Sequence, residues 1–167
     1  LVQTLLAKDN KEKILIFRNK RGSARGCAAY LSNDLNLKPE SNALERFPVH
    51  DLSDSTNKLR SCLAGGTAFH NSDLSPLEKE IVEEAFRDVN SKVSILSSTT
   101  TLAAGINTPA STVILAEQEF VGTDGRPFTV AEYKNMAGRA GRLGFNEEGK
   151  SLILAESPFQ RKQLFHK

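Results

Sequence analysis

Strand-length apolar runs that take turns with amphipathic helical stretches predict an α/β fold, a mostly parallel sheet with helices on both faces. Three observations carry this expectation. Residues 14–17 and 112–116 are short, nearly unbroken apolar runs, the pattern of strands buried on both sides. Ser75-Pro76-Leu77-Glu78 and Thr129-Val130-Ala131-Glu132 are capping boxes, in which a hydroxyl and a carboxylate satisfy the free N–H groups of a helix start. The chain has 167 residues, 39% of them hydrophobic, enough for one domain with a substantial core.

Taken in order, residues 1–7 are apolar at helical spacing and read as the end of a helix. Residues 14–17 form the first strand. Residues 22–35 read as a helix with Ala24, Cys27, Ala28 and Leu31 inward. Residues 36–55 are polar, contain proline and lack a pattern, so they read as a loop. A short helix over 57–63 ends at Gly65-Gly66, and 67–69 form a second strand. The helix that opens at Pro76 carries Leu77, Ile81, Val82, Ala85 and Phe86 on one face. Residues 92–96, 112–116 and 151–155 complete the predicted strands, all buried. Asp124-Gly125, flanked by Phe120 and Phe128, is a hairpin-turn signal. In such a sheet, right-handed crossovers place the strand-to-helix loops along one edge, where ligands bind.

Composition excludes more than it assigns. With 22 basic and 20 acidic side chains the formal charge is +2, so any polyanion must be met by local placement. No apolar run is long enough to cross a membrane. Cys27 and Cys62 have no metal-ligand spacing, which fits reduced thiols in an intracellular protein; a cytoplasmic location is expected in preference to a nuclear one. There is no signal peptide, internal repeat or low-complexity tract. The only methionine is Met136 and the chain starts at Leu1, as in a domain excised from a larger protein or a trimmed small one. No Gly-x-x-x-x-Gly-Lys-Ser/Thr loop is present, and no acidic strand end offers magnesium ligands, so the usual phosphate-loop hydrolysis is beyond this chain alone.

The densest motif is Asn135-Met136-Ala137-Gly138-Arg139-Ala140-Gly141-Arg142. If the helix from Val130 runs through it, Asn135, Arg139 and Arg142 share a face. Guanidinium groups presented among glycines suit the spread charge of a phosphoryl group in transfer. A basic helix end with glycine caps would read the same way. Ser98-Thr99-Thr100-Thr101 follows a predicted strand, where hydroxyls at a helix start either hold a phosphate or act as plain caps. Arg18-Asn19-Lys20-Arg21 follows the first strand as three cations and an amide, either a phosphate grip or a solvated turn.

Together these segments resemble the superfamily two helicases of the superkiller-type (Ski-like) branch. Residues 135–142 resemble motif VI, the segment from Ser98 through Gly105-Ile106-Asn107-Thr108-Pro109 to Ala110 resembles motif V, and residues 14–22 resemble motif IV. Ala68-Phe69-His70-Asn71-Ser72-Asp73-Leu74-Ser75 resembles a segment that usually reads with two histidines and Gly-Leu-Ser. The order and spacing match over nearly the whole chain.

The resemblance implies that residues 1–167 are the second (C-terminal) RecA-like domain of an ATP-dependent helicase, a three-layer α/β sandwich inactive by itself. ATP would lie between this domain and a first RecA-like domain that supplies the Mg2+ ligands. Arg139 and Arg142 would reach the ATP phosphates, with Arg142 as the arginine finger, an element that supplies roughly 10³–10⁵ in rate. Gly105, Asn107, Asn135 and Gly138 would lie near the nucleotide, Asn135 standing where the family usually has glutamine. Arg18, Asn19, Arg21, His70, Asn71, Thr100 and Thr101 would contact the backbone of a DNA or RNA single strand. The hairpin, through Phe120 or Phe128, would split the duplex, unless its rings pack on their own domain. A translocase that separates no strands and a silent nucleic-acid-binding module are the alternatives.

Overall fold

The computed structural model describes residues 1–7, 12–48, 53–100, 110–119, 125–141 and 149–165. Five strands, β1 (Ile14–Arg18), β2 (Thr67–His70), β3 (Ile95–Thr99), β4 (Thr112–Leu115) and β5 (Lys150–Ile153), form one sheet in the order β2-β3-β1-β4-β5. All four pairings are parallel. Seven helices are described: α1 (Val2–Leu6), α2 (Arg21–Leu35), α3 (Ser41–Glu45), α4 (Asp54–Ala64), α5 (Pro76–Arg87), α6 (Val130–Ala137) and α7 (Pro158–Phe165).

Neighbouring residues of β1 point into two different cores, which is why its sequence is an unbroken apolar run. Leu15 and Phe17 join Leu59 and Leu63 of α4, Ile81 and Phe86 of α5 and Met136 of α6. Ile14 and Ile16 join Leu5 of α1 and Leu31 of α2 across Ile95 and Ile114. Helices thus cover both faces of a parallel sheet, the three-layer α/β arrangement expected. Beneath the first core, the buried Lys13 ammonium donates to the Val93 carbonyl at 2.6 Å and lies 5.7 Å from the centre of the Phe86 ring.

Both capping boxes form as read. The Ser75 hydroxyl accepts from Glu78 N while Glu78 accepts from Ser75 N at 2.6 Å, and Thr129 and Glu132 repeat the pattern.

Several boundaries and exposures differ from the sequence expectation. β3 begins at Ile95, because the Glu40 carboxylate takes Lys92 N and the Ser91 hydroxyl takes Val93 N; those groups close a turn instead of a ladder. Ser98 and Thr99 therefore belong to the strand. The predicted loop contains α3. Leu77 is 48% exposed, being set in the first turn of α5 before its inward face begins. β5 is an edge strand with largely exposed residues, not a buried one.

Candidate nucleic-acid interface

Because every pairing is parallel, the strand ends sort the site residues into two groups. Arg18 at the end of β1 with Asn19 and Arg21 beyond it, His70 and Asn71 at the end of β2, and Thr100 after β3 lie at the carboxyl edge. Arg139 lies at the opposite, amino edge. Its carbonyl accepts from Ala110 N at 3.0 Å, the Ala110 carbonyl accepts from Gly141 N at 2.8 Å, and Ala110 pairs with Ala140 in a parallel bridge. Ala110 precedes β4, just as Lys13, which pairs beside it, precedes β1.

This pairing corrects the expectation that the helix from Val130 runs on through Arg139; Arg142, expected on the same face, lies outside the described residues. α6 stops at Ala137 with Gly138 as its cap; Arg139 N and Ala140 N close a turn onto the Met136 and Ala137 carbonyls, and Ala140 then forms the isolated bridge to Ala110. Gly141 adopts φ +106°, a backbone region open to glycine and costly for other residues. Asn135 and Gly138 are exposed at the end of α6. Arg142, Gly105, Asn107, Thr101 and Phe120 lie outside the described residues.

At the carboxyl edge Arg18, Asn19, Arg21, His70 and Asn71 each have a partner within the domain. The Glu117 carboxylate, two residues beyond β4, accepts from Arg18 Nε at 2.6 Å and from Asn19 N at 3.2 Å. Burial works against the Arg18 charge, but Glu117, with a smaller contribution from Cys27, outweighs it and raises the arginine pKa. The Asn19 amide donates to the Glu119 carbonyl at 3.2 Å. Arg21, the first residue of α2, pairs with Asp73 at 2.5 Å and remains 60% exposed.

His70 is 5% exposed, with Nε2 3.0 Å from Glu83 of α5 and Nδ1 buried. Burial pushes its pKa below the ordinary value, Glu83 pulls it back, and Lys79 adds to the depression. Its carbonyl accepts from the Ser98 hydroxyl at 3.0 Å. Asn71 is 1% exposed; its amide donates to the Arg21 carbonyl at 3.3 Å and its oxygen accepts from Asp73 N at 2.9 Å. A nucleic acid outside the domain therefore cannot reach the His70 ring or the Asn71 amide as packed here. Both side chains instead tie the end of β2 to its neighbours. Thr100, half-buried in a turn after β3, and the exposed Lys20 sit on the accessible part of this edge.

Of the two readings of the hairpin rings, Phe128 follows the second, packing on its own domain. It is 4% exposed, and its ring packs edge-on against Tyr133 with centroids 5.6 Å apart. A ring held in the core is not available to stack on a base. The hairpin base itself is formed, by the antiparallel bridge of Glu119 with Pro127 and by Phe128 N donating to the Gln118 carbonyl at 2.9 Å. The Arg126 guanidinium and the Thr129 backbone hold the Glu132 carboxyl beside it down to about 2.

Sequence reasoning missed the carboxylates Glu117, Asp73 and Glu83. Only Asp73 carried a signal, since it stands where the resembled segment has glycine.

Residues 1–144 match the family described as the helicase conserved C-terminal domain. The ATP-dependent DNA helicase Hel308 of Methanocella arvoryzae is 32% identical over 167 residues, covering 93% of this chain and 22% of the relative. The protein of the same name from Aeropyrum pernix is 45% identical over 100 residues, 59% of this chain and 13% of the relative. The chain thus spans about a fifth or less of the length of these curated relatives. With the family matched over most of its length and a helix-flanked parallel sheet to hold the matching motifs, this chain belongs to the helicase conserved C-terminal domain family.

Proposed function

We propose that this chain is the second motor domain of an ATP-dependent helicase of the superkiller-type branch, with DNA as its track. The observation that carries the reading is the division of the motif residues between two edges of one sheet. The amino edge, where Arg139 to Gly141 are stitched to Ala110, faces the nucleotide. The carboxyl edge, with Lys20, Arg21 and Thr100, holds one strand by its phosphates. A rigid sheet between the edges couples a change at one to a displacement at the other. The relatives named above are DNA helicases, which favours DNA over RNA.

In this reading ATP is held chiefly by a first RecA-like domain, which also supplies the Mg2+ ligands. Among the described residues no group of three His, Cys, Asp or Glu is placed to hold a metal. Arg139 and Arg142 bring positive charge to the phosphates when the two domains close, with Arg142 as the finger and Asn135, Gly138, Gly105 and Asn107 assigned to the nucleotide. Thr100 and Thr101 hold backbone phosphates, which carry no base identity, so binding is largely independent of sequence. His70 and Asn71 position that edge from beneath. The hairpin closed by Glu119 and Pro127 separates strands through Phe120, with Phe128 anchoring its base.

The test is ATP hydrolysis by the parent protein with and without single-stranded DNA, for the wild type and Arg142→Ala. Strand-stimulated hydrolysis that falls by roughly 10³ or more in the variant, with ATP binding retained, is expected of an arginine finger. A wild type without strand-stimulated hydrolysis would refute the motor reading.

A further inference from the structure

We propose that Asp73 is a built-in competitor for the nucleic-acid phosphate at Arg21, so that binding a strand exchanges an internal carboxylate for an external phosphate. The inference rests on the carboxyl edge being the strand grip. It concerns two positions where this chain departs from the segment it resembles. Asp73 replaces the glycine of Gly-Leu-Ser, and Asn71 replaces the second histidine.

The two departures meet in the structure. Asn71 is buried and bridges the partners of the pair: its oxygen accepts from Asp73 N at 2.9 Å, and its amide donates to the Arg21 carbonyl at 3.3 Å. With both backbones fixed by one side chain, the Asp73 carboxylate meets Arg21 Nη1 at 2.5 Å. A carboxylate and a phosphate present similar paired oxygens to a guanidinium, so either can occupy it.

Exposure decides whether the exchange can happen. The side chains of Arg21 and Asp73 are 60% and 32% exposed. A surface pair of this kind shifts an equilibrium only about 1.4- to 5-fold, weak enough for a phosphate to displace the carboxylate. The Arg18–Glu117 pair is more enclosed, at 28% and 22%, and Glu117 is also committed to Asn19 N. Arg18 is therefore a strut and Arg21 the exchangeable cation. Asp73 lowers strand affinity and favours release, which a motor that must let go of its track needs at every step.

The experiment measures binding of fluorescent oligodeoxythymidylate to the parent protein at several salt concentrations. The variants are Asp73→Asn, Asp73→Gly, Arg21→Ala, Arg21→Ala with Asp73→Asn, and Thr100→Val. Asp73→Asn and Asp73→Gly should each bind about 2- to 5-fold tighter. Their salt dependence should steepen by up to about 0.7 in log K against log salt, the share of one phosphate contact on a single strand. The gain should vanish when Arg21 is alanine. Either variant folding but binding no tighter would overturn the proposal, as would a full gain persisting without Arg21, which marks a general charge effect. Wild-type binding that falls in Thr100→Val but ignores Asp73 overturns this inference alone. A wild type that binds no strand overturns the grip and the inference with it.

Discussion

Glu117 offers the most quantitative check on how the carboxyl edge is built. Leu115 of β4 lies opposite Phe17 of β1, so two residues further on Glu117 arrives beside Asn19. There its two oxygens take Arg18 Nε at 2.6 Å and Asn19 N at 3.2 Å. Replacing Glu117 by alanine deprives a half-buried guanidinium and a backbone N–H of their acceptor. An exposed ion pair is worth about 0.2–1 kcal/mol and a hydrogen bond to a charged group about 1.5–3 kcal/mol. The side chains keep 28% and 22% exposure, so solvent screens the pair in part, and about 1–2 kcal/mol is expected between those limits. For a domain of this size that corresponds to a melting-point loss of roughly 2–8 °C. Glu117→Gln retains one acceptor oxygen and should lose about half as much. Urea unfolding of the 167-residue chain in a cycle of Arg18→Ala, Glu117→Ala and both should give a coupling near 1 kcal/mol. Additive single effects, within about 0.3–0.5 kcal/mol, would refute the strut. The same variants bear on binding: Arg18→Ala should cost more stability than strand affinity, and Arg21→Ala the reverse.

The remaining expectations are simpler. Burial depresses the His70 pKa below its ordinary 6.5. The unfolded chain then binds a proton first as the pH falls, so stability is full above about pH 6.5 and declines below it. Urea midpoints from pH 8 to 5 should show this decline, and His70→Gln should flatten it; an unchanged slope would show that His70 is not the group responsible. Gly141→Ala forces a side chain onto a backbone at φ +106°, a strain of order 1–3 kcal/mol. It should lower both stability and strand-stimulated hydrolysis, because the pairing with Ala110 that places Arg139 is disturbed; a variant equal to the wild type in urea unfolding would contradict this.

Local chemistry carried the elements that are complete in themselves. The helix starts at Pro76 and Val130 were legible because hydroxyl and carboxylate stand three residues apart and satisfy each other. β1 and β4 were legible because a strand covered on both faces has no polar side to show. The end of α6 was not, since Gly138 and Gly141 permit a helix to stop without saying where. The stop is fixed by Ala110, whose backbone takes the groups of Arg139 and Gly141. Phe128 was ambiguous for a similar reason: an aromatic ring beside a turn suits a base or a core, and only Tyr133 and the packed face of β4 decide between them.

The motif residues were likewise visible one by one, but not their company. Arg18 finds Glu117 across 99 positions, Arg21 finds Asp73 across 52, and His70 finds Glu83 on a different element. From sequence alone these cations and the imidazole read as open to a ligand. What the sequence determined by itself was the alternation of strands and helices, their caps, and the stock of phosphate-seeking side chains, because each depends on neighbours a few residues away. Which edge those side chains occupy, which are struts and which can exchange partners was decided by the tertiary structure, because parallel pairing joins strand ends that are far apart in the chain.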